Sequence, residues 1–329
     1  MPGSRSRNEQ RQHVMHRIFR DGHHVAFTVA GTATGIPVVV LHGGPGSGSQ
    51  QSVLQLFDLA RFRVVLVDQR GAGASTPRGS LRHNRTAQLT GDLEAIRMRL
   101  GIERWGVMGG SWGASLALAY AGLYPRAVTG VVMRGLFLTS AREVRRLFGA
   151  SRVHAPHEWK RLCAAAQCHR PSALLGRCAT ALQAGGLATR QRAVALAWRD
   201  YEAAVLASSH SRRVHVRPVR SYAVVRKLIS KYRIQAHYLT HDCWLGERRL
   251  LSRARDAQAA GVPLFAVHGM RDPVCPPDNL RRLARVVPAV HVEWAHAGHL
   301  ATEPELAMRM KRAIEAVFAP CALSADAAT

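Results

Sequence analysis

The sequence predicts an α/β fold: a mostly parallel, doubly wound sheet with an inserted α-helical cap. Three observations predict it. Strand-like apolar runs alternate with helix-like stretches from Val38 to about Arg134. A long region to about Arg249 then carries helix-like spacing without clear strands, and the alternation resumes at Val262. That interruption is what an insertion looks like. At 329 residues the chain suffices for one α/β core with a sizeable insertion, or for two average domains, and no internal repeat is visible. The expected division is a first part of the core over 1–138, a helical cap over 139–246 and a second part of the core over 247–329. Residues 1 to about 18 and 320–329 read as poorly ordered tails.

Taken in chain order, the first informative element is the apolar run over 36–41, read as a strand, followed by His42-Gly43-Gly44-Pro45-Gly46. Glycines after a first strand let the backbone approach a substrate carbonyl. A main-chain N–H of Gly44 or Gly43 would then form one arm of an oxyanion hole, with that of Trp112 as the other. A phosphate-binding loop is disfavoured, because neither a Gly-Lys-Ser/Thr ending nor a Gly-x-Gly-x-x-Gly spacing is present. Next, Trp105-Gly106-Val107-Met108 reads as a short strand and residues 114–121 as a helix, with Gly109-Gly110-Ser111-Trp112-Gly113 between them. Strand, tight turn and helix in that order form a nucleophile elbow. The serine is strained and exposed, and Gly109 and Gly113 give strand and helix room to pass. In the last third, a buried strand over 262–269 runs into Asp272. The apolar segment over 289–294 leads to Ala297-Gly298-His299, ahead of a helix beginning near Glu303-Pro304. The order serine, acid, histidine is that of an α/β-hydrolase triad. In it His299 is the general base toward Ser111, and Asp272 fixes the imidazole's tautomer. His268, His291 and His296 read as surface histidines.

These residues resemble the prolyl aminopeptidases, or proline iminopeptidases, serine peptidases of the α/β-hydrolase fold. The resemblance rests on the glycine loop and the elbow, on Asp68-Gln69-Arg70-Gly71-Ala72-Gly73-Ala74-Ser75, and on Asn84 and Thr86 followed by Asp92-Leu93-Glu94. It continues through Arg134-Gly135-Leu136-Phe137, Val274-Cys275-Pro276 and Ala297-Gly298-His299 with Glu303-Pro304, spanning about residues 35 to 310. It implies removal of an N-terminal proline, or a similar residue, from a peptide. It also implies two cap glutamates that hold the substrate's free amine, one in a Trp-x-x-Trp-Glu segment and one in an Ile-Glu-x-His-Tyr segment. Here the first reads Trp198-Arg199-Asp200-Tyr201-Glu202, with Tyr201 in place of tryptophan, and the second reads Ile234-Gln235-Ala236-His237-Tyr238. Glu202, Gln235 and Tyr201 are therefore the expected substrate-binding residues. Gln235 accepts a hydrogen bond but brings no charge, which weakens amine recognition.

The formal charge of +25 invites a nucleic-acid partner, but only Lys160, Lys227, Lys231 and Lys311 among the 46 basic residues are lysine, and no binding motif appears. An arginine excess of this kind reflects composition bias, so no nucleic-acid partner is expected. From Ala203 to His241 there is no acidic residue, against Arg212, Arg213, Arg217, Arg220 and four further cations. This reads either as a solvated face or as a positive rim that favours anionic substrates. Six cysteines show neither zinc spacing nor a paired framework, so no metal or disulfide is expected. No apolar stretch has signal-peptide or membrane-spanning length, and the expected location is cytoplasmic.

The expectation is thus a serine hydrolase that needs no cofactor, works through an acyl-enzyme on a small peptide or acyl substrate, and releases N-terminal proline or a similar residue. An esterase or amidase with a re-specified substrate is the alternative on the same scaffold. A non-catalytic binding protein that kept the fold is the alternative outside catalysis. The sequence leaves the oligomeric state open.

Overall fold

The computed structural model describes residues 14–209 and 218–319. The strands are β1 (Val14–Arg20), β2 (His23–Gly31), β3 (Ile36–Leu41), β4 (Phe62–Val67), β5 (Trp105–Gly110), β6 (Val128–Arg134), β7 (Leu264–Gly269) and β8 (His291–Ala295). They form an eight-stranded sheet in the order β1-β2-β4-β3-β5-β6-β7-β8. Strands β3 to β8 are mutually parallel, and β2 runs against both of its neighbours. Parallel strands are covered on both faces and so read as continuous apolar runs. Alternation along them decides which face each side chain takes. Val39, Leu41, Val65, Val67 and Val107 join one core, while Val38, Val40, Val64, Leu66 and Met108 join the other.

Helices α1 (Thr86–Arg99), α2 (Trp112–Leu123), α8 (Gly246–Ala259) and α9 (Asp278–Val286) cover the first face, and α10 (Pro304–Phe318) covers the second. Helix α2 carries the run Ala114 to Ala121 with every residue buried. Its Gly122 lies so close to α8 that an added Cβ would come within 2.3 Å of the Arg253 carbonyl oxygen. Between β6 and α8 lie α3 (Ala141–Phe148), α4 (Pro156–Ala166), α5 (Leu174–Ala181), α6 (Ala188–Ala207) and α7 (Tyr222–Leu239). They share a hydrophobic cluster of their own, in which Trp198 stacks on Tyr232 with ring centroids 4.9 Å apart.

One expectation is corrected. Residues 14–18 are not tail but part of β1, which pairs with β2 from Val14↔Val29 to Arg20↔His23. Asp21 and Gly22 close the hairpin at φ 49° and 79°, the signature of a two-residue type I′ turn. Asp21 accepts a 2.8 Å bond from the buried Arg70, whose guanidinium also grips both oxygens of Asp92 on α1. The edge hairpin is thereby tied to the core. Arg212, Arg213 and Arg217 of the expected positive rim lie outside the described residues, and Arg220 is exposed.

Candidate active site

The C-terminal ends of the parallel strands, where ligands bind in open α/β sheets, gather the candidate residues. Ser111 joins β5 directly to α2 at φ 57°, ψ −123°, a backbone region costly for any residue with a Cβ. Its N–H donates to the Arg134 carbonyl at 2.9 Å. The flanking glycines are sterically required: a Cβ on Gly109 would lie 2.1 Å from the Gly113 oxygen, and one on Gly113 would lie 2.1 Å from the Leu41 oxygen. The elbow therefore exists because the sequence has no side chains where strand and helix cross.

Asp272 follows β7 and His299 follows β8. Both are at least nine-tenths buried, and His299 Nδ1 is 2.6 Å from Asp272 Oδ2. The other oxygen, Asp272 Oδ1, accepts the N–H groups of Val274 and Cys275 at 2.9 and 2.8 Å. Burial pushes the carboxyl up, but the His299 imidazole and these donors outweigh it and hold Asp272 below the usual carboxylate range. An ionised Asp272 accepts, so His299 carries its proton on Nδ1 and keeps Nε2 basic. The His299 loop is braced from three sides. Glu303 accepts the N–H of Gly298 at 2.6 Å and that of Leu300 at 2.9 Å, and the Arg134 guanidinium donates to the His299 carbonyl. Gly135, at φ 55°, leaves room for the pair, since a Cβ there would sit 3.1 Å from His299 Cε1 and 3.2 Å from Asp272 Oδ2.

Gly43 lies against the elbow: a Cβ on it would be 3.1 Å from the Gly110 oxygen and 3.4 Å from Ser111 Cβ. Gly44 adopts φ 115°, which glycine alone takes without strain. The N–H of Trp112 opens α2, and the first N–H groups of a helix have no acceptor within it. Gln69 joins the glycine loop to the start of α2. It accepts from Trp112 Nε1 at 2.8 Å, donates to the His42 carbonyl at 2.9 Å, and offers its own N–H to His42 Nε2 at 3.1 Å. Because His42 Nε2 is an acceptor, the proton resides on Nδ1 and points to the Gly43 carbonyl, 2.8 Å away. Burial, which holds His42 below its usual range, keeps that neutral tautomer.

Ser111, His299, Gly43 and Gly44 line one cavity of about 530 Å³, walled on the helical side by Glu202 and Gln235. Glu202 has three donors. Its Oε1 accepts from Gln235 Nε2 at 2.5 Å, and its Oε2 accepts from Lys231 Nζ and the Tyr232 hydroxyl, each at 2.9 Å. Burial raises its carboxyl, but Lys231 and the two neutral donors overcome this and leave it below the ordinary range. Tyr201 is corrected as a substrate-binding residue. Its ring is buried in the cluster of the inserted helices, its hydroxyl donates to the Leu147 carbonyl at 2.6 Å, and it does not line the cavity. Tyr201 lies on the face of α6 that packs in this cluster, whereas Glu202 lies on the face that lines the cavity.

Sequence reasoning missed Lys231, whose charge decides the state of Glu202, and the role of Gln69. It also misread His268 as a surface residue. His268 is fully buried on β7, with Nε2 2.9 Å from the Cys275 carbonyl and 3.9 Å from Asp272. Its place in a strand buried on both faces was the available signal. Asp272, Cys275 and His299 also offer three possible ligand atoms within 4.8 Å of one another. Burial and the neighbouring Asp272 hold the Cys275 thiol protonated, well above its usual range, so the trio is built for hydrogen bonding rather than for thiolate ligation.

A family model for the alpha/beta hydrolase fold matches residues 36–305. Proline iminopeptidases from Xylella fastidiosa (strain 9a5c), Xanthomonas citri and Neisseria meningitidis serogroup A are 37%, 36% and 32% identical to the chain. The matches cover 87%, 90% and 90% of this chain and 90%, 93% and 93% of theirs. This chain belongs to the proline iminopeptidase family of α/β hydrolases. It is a serine hydrolase of an aminopeptidase family. Among solved structures, the 2-hydroxy-6-oxo-6-phenylhexa-2,4-dienoate hydrolase from Rhodococcus sp. strain RHA1 is similar at a TM-score of 0.58 with 17% identity, covering 94% of this chain and 99% of its own. A haloalkane dehalogenase variant from Bradyrhizobium elkanii reaches 0.59 with 16% identity, covering 93% and 97%. At that identity these two likenesses speak to the fold alone. Among the described residues, no helix is long and apolar enough to cross a membrane.

Proposed function

We propose that the chain releases N-terminal proline, or a similar small residue, from peptides through an acyl-enzyme formed on Ser111, with the inserted helices over 139–246 acting as the cap over the site. The observation that carries this reading is a single cavity lined by a strained elbow serine, by a histidine bonded to a buried carboxylate, and by Glu202 on the helical wall. In the proposed sequence, His299 Nε2 takes the Ser111 proton as Oγ attacks the prolyl carbonyl, and Asp272 stabilises the imidazolium. The N–H groups of Trp112 and of Gly43 or Gly44 hold the oxyanion. Collapse expels the leaving amine, which takes its proton from His299, and water repeats the cycle to free the acyl group. No cofactor enters any step. Glu202 and Gln235 sit where the cap closes the cavity and would face the nitrogen end of the substrate. The test is proline release from proline p-nitroanilide. Turnover that depends on Ser111 supports the reading, and absence of turnover with intact ester hydrolysis overturns it.

A second reading, an esterase or amidase acting on substrates without a free amine, is favoured by one observation: Lys231 already neutralises Glu202.

A further inference from the structure

Resting on the assignment of Glu202 to the nitrogen end of the substrate, we propose that Lys231 is a specificity-determining residue: a built-in ammonium that occupies Glu202 and makes the site indifferent to whether the substrate's N-terminus is free or blocked.

The geometry is that of an occupied cation site. Lys231 Nζ lies 2.9 Å from Glu202 Oε2, 3.4 Å from the Tyr232 hydroxyl and 4.6 Å from the centre of the Tyr232 ring. A carboxylate, a phenol and an aromatic face are the groups that receive an ammonium. Lysine supplies it from helix α7, one turn before Gln235. That helix lies directly on the glycine loop beside Ser111, since a Cβ on Gly46 would be 2.8 Å from the Lys231 carbonyl oxygen. The cation is therefore part of the cavity wall, which Lys231 itself lines.

Charge accounting leads to the same conclusion. The carboxylates lining the cavity are Glu143 and Glu202. Glu143 accepts from the Leu138 N–H, from the Ser140 N–H and hydroxyl, and from Asn279, and Glu202 accepts from Lys231, Tyr232 and Gln235. Glu143 is held by four neutral donors, and the charge of Glu202 is already met by Lys231. A substrate with a charged N-terminus must displace Lys231 from Glu202, exchanging one ion pair for another with no net gain in charge balance. A neutral N-acyl or amide nitrogen meets no such competition. Gln235 adds no charge of its own to the wall: it is 3% exposed and donates one amide N–H to Glu202.

The test is calorimetric titration of the full chain with prolinamide and with N-acetylprolinamide. In the native protein the two affinities are expected to be of the same order. Lys231→Met should raise the affinity for prolinamide about tenfold, the worth of a hydrogen bond to a charged group, and leave N-acetylprolinamide unchanged. Lys231→Gln serves the same purpose with a polar side chain should the methionine variant misfold, and Lys231→Arg, which keeps the charge, should retain the native ratio. A native preference for prolinamide of about tenfold or more, or a ratio unmoved by Lys231→Met and Lys231→Gln, overturns the proposal. Failure of either compound to bind any variant overturns it as well. Because these titrations need no turnover, a protein that passes them yet releases no proline from its p-nitroanilide would sink the aminopeptidase reading while leaving the role of Lys231 standing.

Discussion

In the proposed mechanism Ser111, Asp272 and His299 act as a unit, so their removal should be felt in turnover and hardly in folding. Ser111→Ala is expected to lower kcat by several orders of magnitude, and Asp272→Asn by roughly 10⁴, because an amide leaves His299 with the wrong tautomer. Unchanged melting temperatures with near-normal turnover would remove the assignment. Glu202 yields a prediction about acid stability. Its folded pKa lies below the ordinary 4.5, so its contribution is fully present above that value and is lost as the pH falls through the lower folded one. Thermal melts between about pH 3 and pH 7 should show a shallower acid limb for Glu202→Gln than for the native protein. Identical slopes would mean that the Lys231 pair contributes nothing. The elbow at Ser111 and the Asp272–His299 pair were legible because each residue follows an apolar run and sits in a glycine-marked turn, and backbone punctuation of that kind survives in sequence. Lys231 was not legible. Whether a lysine on a basic helix meets solvent or a carboxylate depends on a partner twenty-nine residues away on α6, and no local pattern encodes that.

At the scale of elements, one side chain holds the turn after β8 on both sides of His299. Glu303 sits just before α10 and receives two N–H groups, from Gly298 and Leu300, on either side of His299. Glu303→Gln keeps size and polarity but has one acceptor oxygen where the carboxylate has two, so one of these bonds must fail. We expect kcat to fall about tenfold, with a loss of about 1 kcal/mol in stability. A variant that loses stability without losing kcat would show that the loop is held in register by other contacts. The elbow offers a steric counterpart. Gly113→Ala forces a Cβ to within 2.1 Å of the Leu41 oxygen. Rigid backbone cannot yield there, and a loss of about 1–3 kcal/mol should follow, read as a lower melting temperature. The sequence disclosed the strands around both turns, because buried parallel strands are apolar throughout. It concealed β1, an edge strand whose exposed residues alternate without an apolar face, although Asp21-Gly22 was a hairpin signal in plain view. Helix α8 packs against Gly122 of α2 and contributes Leu250, Ala254 and Ala257 to the core on the sheet's first face.

Across the whole molecule, the charge of +25 on 329 residues makes a field that no single contact describes. Within the cavity Lys231 is paired with Glu202, and Arg134 is hydrogen-bonded to the His299 carbonyl. What an approaching substrate meets is therefore the outer surplus of arginine, together with Lys311 on the cavity lining. A surplus of this kind acts on encounter rather than on the bound state. Its reach follows the Debye length, about 30 Å at 0.01 M salt and about 8 Å at 0.15 M. Two prolyl substrates of equal size, one with an acidic leaving residue and one with a neutral residue, should thus behave differently on titration with salt. The kcat/KM of the acidic substrate should fall steadily from low to physiological ionic strength, carried by KM. The kcat/KM of the neutral one should stay level, and the kcat of both should stay constant, because the paired groups around Ser111 are shielded from mobile ions. Equal salt dependence for the two substrates would show that the basic surplus is a solvated surface without influence on the site. A salt-dependent kcat would show that the field reaches the chemistry itself, which the pairing of Lys231 and Glu202 within the cavity argues against.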